Sequence, residues 1–258
     1  MNGRFQRTRQ LSFNVVTFDL FGTLVDIDDN SLPCLTIDGV SIPSLLAAPF
    51  GRLFELIPTM DLGDALVAYF QVGEELKSRP APELDCELPS YTHLIRALER
   101  IGVLDQAVMR DVVQSQREVT LQAARPAEGA VSLLKHLCDN GCSLGLVSNF
   151  ADGDEGRDLL SHLKLTSYFD VIVFSGDVGW RKPNRRIFET ALSALHAEAR
   201  EVLHVGDELR ADIWGAGRCG MTTVWLNADG QPFEGDHPPR LQIDRLAALT
   251  SSEVTFHL

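Results

Sequence analysis

Asn14-Val-Val-Thr-Phe-Asp19-Leu-Phe-Gly-Thr-Leu24 begins as a short apolar run, closes on an acid and turns at a glycine. A run of that length fits a strand buried on both faces of a parallel sheet. The acid then stands at the strand's carboxyl end, the edge where open α/β sheets place their sites. Taken alone, the same residues also fit a plain strand-to-turn exit, so the rest of the chain must choose.

Further along, similar runs recur at Ser143-Leu-Gly-Leu-Val-Ser148, Val171-Ile-Val-Phe174, Val202-Leu-His-Val205 and Thr222-Thr-Val-Trp-Leu226. Helical spacing separates them at 129–140, 153–164, 185–198 and 211–218, and Gly141 ends the first of these helices. Strands alternating with helices predict an α/β fold, a three-layer Rossmann-like core with a parallel sheet. Asp19, Ser148, Ser175 and Asp207 all fall at carboxyl ends of predicted strands. Between the first two strands lie over a hundred residues of different character. Apolar spacing predicts helices over 44–58, 62–78, 89–101 and 105–123, and Asp38-Gly39 between short apolar runs predicts a small hairpin. The expected organisation is therefore an α/β core of 1–25 and 125–258 with an inserted helical cap of 26–124. Residues 228–240 read as a loop before a last strand and helix near 241–249.

Composition excludes several classes. The 258 residues are 45% hydrophobic and 23% charged, and 23 Lys+Arg against 36 Asp+Glu leave a formal charge of −13. That balance argues against nucleic acid as a partner. No apolar run approaches the ~18 residues of a membrane span. Arg4, Arg7 and Arg9 before Phe13–Phe18 have the polarity of a secretory leader, but Asp19 stops the run early and no small-residue cleavage site follows. Five scattered cysteines, with no paired CxxC, fit reduced thiols in a cytoplasmic protein. Cys138 and Cys142 lack the partners of a zinc site.

Chemistry concentrates at the predicted strand ends. Val147-Ser148-Asn149 offers a hydroxyl and an amide. Trp180-Arg-Lys182-Pro-Asn-Arg-Arg186 supplies an ammonium just before a helix, and Gly206-Asp207-Glu208…Asp212 adds two acids five residues apart. A nucleophile, an oxyanion donor, a cation and paired acids are what phosphoryl transfer needs.

In that order the four motifs resemble the haloacid dehalogenase superfamily, in the branch with a helical cap after the first strand. The resemblance spans roughly 13–26 and 125–250, and the cap matches in position and helical content only. It implies Asp19 as nucleophile, Thr23 and Ser148 in contact with the transferred group, and Lys182 neutralising it, with Asn149 beside Ser148 among the substrate-binding residues. It implies Mg²⁺ held by Asp19, the Phe21 carbonyl and Asp207, with Asp212 in support. The expected activity is a Mg²⁺-dependent phosphohydrolase acting on a small phosphorylated metabolite. One position departs from the pattern. Phosphatases of this family carry a second Asp two residues past the nucleophile, as general acid and base, and this chain has Phe21. General acid–base help is worth ~10²–10⁴ in rate. Two alternatives therefore stand: carbon–halogen hydrolysis of a 2-haloacid, whose enzymes also have an aromatic there, and a weakly catalytic protein that binds a phosphorylated ligand or a partner.

Other signals receive plainer readings. Gly215-Ala-Gly217-Arg-Cys-Gly220 matches GxGxxG but follows a helix and precedes a strand, so it predicts helix packing and a C-cap. His204 is expected in the core; His93, His136, His162 and His196 at the surface; His237 and His257 in or near the tail. Trp180 is expected to pack its loop, and Arg52 is a possible lone cap cation. Glu74-Glu75 and Asp152–Glu155 read as solvated faces or a helix N-terminal acid cluster. Arg181, Lys182, Arg185 and Arg186 read as a local anion-binding patch as readily as a solvated face.

Overall fold

The computed structural model describes residues 11–37, 39–80, 83–233, 235, 237–250 and 254–256. The basic N-terminal arginines, Asp38 and His257 lie outside them. Six parallel strands form the main sheet, in the spatial order Leu241–Ile243, Thr222–Leu226, Val202–Gly206, Val15–Phe18, Ser143–Ser148, Val171–Phe174. The strand read first from the sequence is central, paired to Ser143–Ser148 on one side and Val202–Gly206 on the other. Val16 and Phe18 are wholly buried, as continuous apolar runs in covered parallel sheets must be. The main core gathers Val16, Phe18, Leu133, Leu134, Leu144, Leu146 and Val205.

The helices are built as the sequence reading expects: Ala130–Asp139, Gly153–His162 and Arg185–Ala194 follow the strands. Asp152 and Asn184 cap the last two, each side chain accepting from amides of the first turn, worth ~1 kcal/mol per cap. Gly141 takes φ +73 just past the first of them. The predicted helix at 211–218 differs in form, opening as a wide π-turn over Leu209–Trp214 before an α-turn at Gly215–Arg218. Gly215 packs there because a Cβ would lie 3.0 Å from the Pro183 Cα, and Gly220 turns with φ +91. The dinucleotide-like motif is thus close packing and a stop.

Between the first two core strands lie helices Ala47–Leu56, Leu62–Lys77, Thr92–Arg100 and Gln106–Ala123. They bury their own cluster of Phe50, Leu53, Leu66, Leu94, Leu98 and Val112. Cys34–Ile37 and Val40–Pro43 pair antiparallel, the expected hairpin. Two pairings went unread in the sequence. Val25–Ile27 runs antiparallel to Ala124–Pro126, joining the entry and exit of the helical segment, and Leu11–Phe13 pairs with Val254–Phe256. Three-residue strands carry too little periodicity to register.

The helical segment also reaches the sheet edge at a second place. The Glu87 amide donates to the Gly179 carbonyl at 3.0 Å and the Arg181 amide to the Asp85 carbonyl at 2.9 Å. The Ser175 hydroxyl donates to Glu87 in a very short contact. This strap crosses the loop that carries Lys182.

Candidate active site

Asp19, Ser148 and Asp207 extend from the carboxyl ends of three adjacent strands, so the sheet itself delivers them to one edge. Lys182 enters from the loop after Val171–Phe174. Its Nζ donates to Asp19 Oδ1 at 2.5 Å and to Asp212 Oδ1 at 2.6 Å, and the residue is 3% exposed. An ammonium is buried there only because two carboxylates grip it. They raise the Lys182 pKa above its ordinary value against the opposing cost of burial. Asp19, Asp207 and Asp212 each offer an oxygen within 4.8 Å of the others.

A framework of hydrogen bonds holds these groups. The Glu208 amide donates to Asp212 Oδ2 at 3.0 Å. Thr17 and His204 face each other across paired strands, with Thr17 Oγ1 2.9 Å from His204 Nδ1 and His204 Nε2 3.4 Å from Asp212 Oδ1. Burial lowers the His204 pKa despite the nearby Asp212 carboxylate, so the neutral ring donates to Asp212 and accepts from Thr17. The core histidine expected from the sequence thus lies beneath the site as a support. The Trp225 indole donates to the Asp207 carbonyl at 2.9 Å, fixing that residue's backbone. Two glycines make the close approach possible: a Cβ at Gly22, where φ is +75, would overlap the Asp207 carboxylate, and one at Gly206 would overlap Asp212.

Electrostatics follow from the crowding. Burial pushes the Asp19 carboxyl up to about 7, with Lys182 pulling down and Asp212 and Asp207 pushing further up. Asp212 feels the same burial, yet Lys182 and His204 hold it down at about 2. Burial also raises Asp207. With Asp19 and Asp207 ionised, three carboxylates against one ammonium leave two negative charges over an all-oxygen donor set, which suits a hard divalent cation.

Ser148, Asn149, Phe21 and Thr23 close or follow the same central strands. Ser148 is 2% exposed and its hydroxyl has no hydrogen-bond partner among the described residues. Thr23 is wholly buried and its hydroxyl donates to Asp207 Oδ1 at 3.2 Å. Asn149 is engaged by Lys182, accepting from its amide at 2.6 Å and donating to its carbonyl at 3.2 Å. Phe21 is half-buried beside the nucleophile and stacks on Phe150, with centroids 6.1 Å apart and planes at 12°.

Several plainer readings need correction. The four-cation patch does not form: Lys182 is interior, Arg185 pairs with Glu189 at 2.9 Å and Arg186 lies over the Trp180 ring at 4.5 Å. Arg52 is no lone cation, since Glu55 and Asp111 hold it at 3.0 and 2.8 Å. His93 is not a free surface residue; its ring stacks on Tyr69 at 3.7 Å. Asp152–Glu155 do form an acid cluster at the start of helix Gly153–His162, the second of the two readings, but Glu155 is 6% exposed and accepts from the Tyr91 hydroxyl at 2.6 Å. Glu55 and Glu189 stand three and four residues along the same helices as their arginines, a spacing open to reading in the sequence, whereas Asp111, Tyr69 and Tyr91 come from other elements, which spacing cannot reveal. Thr17, by contrast, left a trace, as a polar residue inside an otherwise apolar strand.

The chain is similar to known proteins. The haloacid dehalogenase-like hydrolase family matches residues 69–226, a span that includes Ser148, Lys182, Asp207 and Asp212. A pyrimidine 5′-nucleotidase of Escherichia coli is 41% identical over 132 residues, 50% of this chain and 56% of that protein. A glyceraldehyde 3-phosphate phosphatase of Methanopyrus kandleri is 30% identical over 158 residues, 59% of this chain and 67% of that protein. The chain spans about half the length of the first curated relatives it matches. In fold it is similar to a 2-haloacid dehalogenase of Pseudomonas syringae, with a TM-score of 0.63 at 22% identity over 93% of this chain and 97% of that one.

Proposed function

The chain belongs to the haloacid dehalogenase-like hydrolase family, and on that premise we propose a Mg²⁺-dependent phosphohydrolase that cleaves a small phosphate monoester through an aspartyl-phosphate on Asp19. The observation that carries the reading is Lys182, clamped between Asp19 and Asp212, with Asp207 close enough to share a cation with Asp19. The phosphatase names of the curated relatives support phosphorus over carbon as the centre attacked.

An Asp19 oxygen forms its bond to phosphorus as the phosphorus–oxygen bond to the leaving alcohol breaks in line. Lys182 neutralises the equatorial oxygens and the unpartnered Ser148 hydroxyl donates to one of them. Asp19, Asp207 and the Phe21 carbonyl would hold Mg²⁺, which supplies Lewis-acid neutralisation of the phosphoryl charge. Thr23 acts through Asp207, which it orients. Asn149 acts through the Lys182 backbone, and Asp212 fixes the ammonium. Phe21 has no proton to give, so the departing alkoxide takes one from water. A second water then attacks phosphorus, the bond to Asp19 breaks, and inorganic phosphate leaves with the water's remaining proton passed to solvent. Such a site favours esters whose alcohols leave readily.

Residues 26–124 serve as the cap in this reading, excluding bulk water and meeting the leaving group. Five scattered cysteines without a CxxC pair fit reduced thiols in a cytoplasmic setting, and among the described residues no helix is long and apolar enough to cross a membrane.

The test is an aryl phosphate assay with and without Mg²⁺, beside a 2-haloacid assay. Expected are Mg²⁺-dependent phosphate release, none from Asp19→Asn at unchanged circular dichroism, and no halide release. Halide release without metal would instead establish the carbon–halogen reading.

A further inference from the structure

A cavity of about 210 Å³ opens where the helical segment meets the loop after Ser143–Ser148. Gln116 and Tyr91 line it from the helical side, and Asn149, Phe150 and Glu155 from the core side. Asn149 is the shared wall: it follows Ser148, grips the Lys182 backbone and faces this space. Phe150 is also shared, since its other neighbour is the Phe21 ring next to the nucleophile.

The charged lining has one sign, Asp152 and Glu155, among neutral hydroxyls and amides. Glu155 is 6% exposed and receives the Tyr91 hydroxyl on Oε1, while its other oxygen accepts no hydrogen bond among the described residues. Gln116 Oε1 is buried with no partner. Asp152 stands beside them, its Oδ1 capping the helix Gly153–His162. None of the described lining residues is Lys, Arg or His. Arg117, whose charge acts on Glu155 from outside the lining, gives its hydrogen bond to Asp158 at 2.7 Å. The buried Gln116 Oε1 without a donor is costly, and a ligand that supplies the donor recovers the cost. A space of about 210 Å³ has room for a short polar group.

We propose that this cavity is the leaving-group pocket of the hydrolase and selects phosphate monoesters whose alcohol carries a protonated amine, held by Glu155 and Gln116. This rests on the phosphohydrolase reading above for the phosphate end, while the preference belongs to the pocket. An ammonium satisfies a carboxylate and an amide oxygen together. A neutral alkyl group of the same size would leave Gln116 Oε1 unpaired and give the Glu155 carboxylate nothing beyond Tyr91, a penalty on the order of tenfold in affinity or more.

The experiment compares O-phosphoethanolamine with n-propyl phosphate, which has a methyl group in place of the ammonium. Isothermal titration calorimetry is run with Mg²⁺ on the full chain bearing Asp19→Asn, so that neither ester is consumed. The expected result is at least tenfold tighter binding of the amine, falling to threefold or less when Glu155→Gln or Gln116→Leu is added. Circular dichroism confirms that each variant is folded. Equal affinities, no binding of either ester, or a preference untouched by both substitutions would overturn the pocket. Hydrolysis of p-nitrophenyl phosphate by the unaltered chain reports separately on the phosphohydrolase reading. Its absence, with the amine preference intact, would sink that reading and leave the pocket standing.

Discussion

Phe21→Asp places a carboxyl where the general acid of related phosphatases stands, and the structure sets both its gain and its cost. General acid–base catalysis at the low end of its range, ~10²-fold, lowers the barrier by about 2.7 kcal/mol. Against this, the substitution removes the Phe21–Phe150 stack, worth ~0.5–1.5 kcal/mol beyond area. It also adds a fourth carboxylate near Asp19, Asp207 and Asp212. At an effective dielectric of about 20, repulsion between carboxylates several ångströms apart is on the order of 2 kcal/mol each, reduced here because position 21 is only half-buried. A net loss of about 3 kcal/mol would lower the melting temperature by roughly 6–12 °C for a chain of this size, and Mg²⁺ would recover part of it. The diagnostic is the leaving group. The unaltered chain should turn over aryl phosphates far faster than alkyl phosphates, because it cannot protonate a poor leaving oxygen. In Phe21→Asp the alkyl rate should rise about 10²-fold and the aryl rate much less, compressing the ratio. Steady-state phosphate release from both ester types, paired with a melting curve, measures this. A folded, Mg²⁺-binding Phe21→Asp chain with an unchanged aryl-to-alkyl ratio would refute the reasoning.

Other consequences follow from the same contacts. Lys182→Met leaves Asp19 and Asp212 facing each other in the interior, so it should abolish turnover and cost about 3–5 kcal/mol in metal-free denaturant unfolding. Gly22→Ala puts a methyl group into the Asp207 carboxylate from a backbone at φ +75, and Mg²⁺ affinity by calorimetry should fall at least tenfold with the fold retained. The Asp19 pKa of about 7 lies above the ordinary 3.8, so the folded metal-free protein binds the extra proton. That contribution is complete below about pH 4 and is lost as pH rises through about 7. A bound cation holds Asp19 ionised and reverses the preference, so the Mg²⁺-induced rise in melting temperature should be larger at pH 8 than at pH 5. An equal rise at both would mean that Asp19 is not the group involved.

The amino-acid sequence by itself determined the layers and the strand ends. Apolar runs such as Ser143–Ser148 and the 3.6-residue spacing of 105–123 are local patterns, and local patterns state whether a segment is strand or helix whatever it later meets. Asp19, Ser148 and Asp207 were legible for the same reason, because a polar residue closing an apolar run marks the sheet edge without any knowledge of its neighbours. Only the tertiary structure decided what the charges do. Lys182 stands among three other cations in sequence, yet it alone is drawn inside, because Asp19, 163 residues away, and Asp212 converge there to hold it. Glu155 reads as one more acid at a helix start until Tyr91, from the helical segment, covers it. His204 becomes a support for Asp212 only through the strand pairing that sets it against Thr17. An ionic group's role depends on the dielectric around it and on which opposite charge reaches it, and both are products of long-range packing.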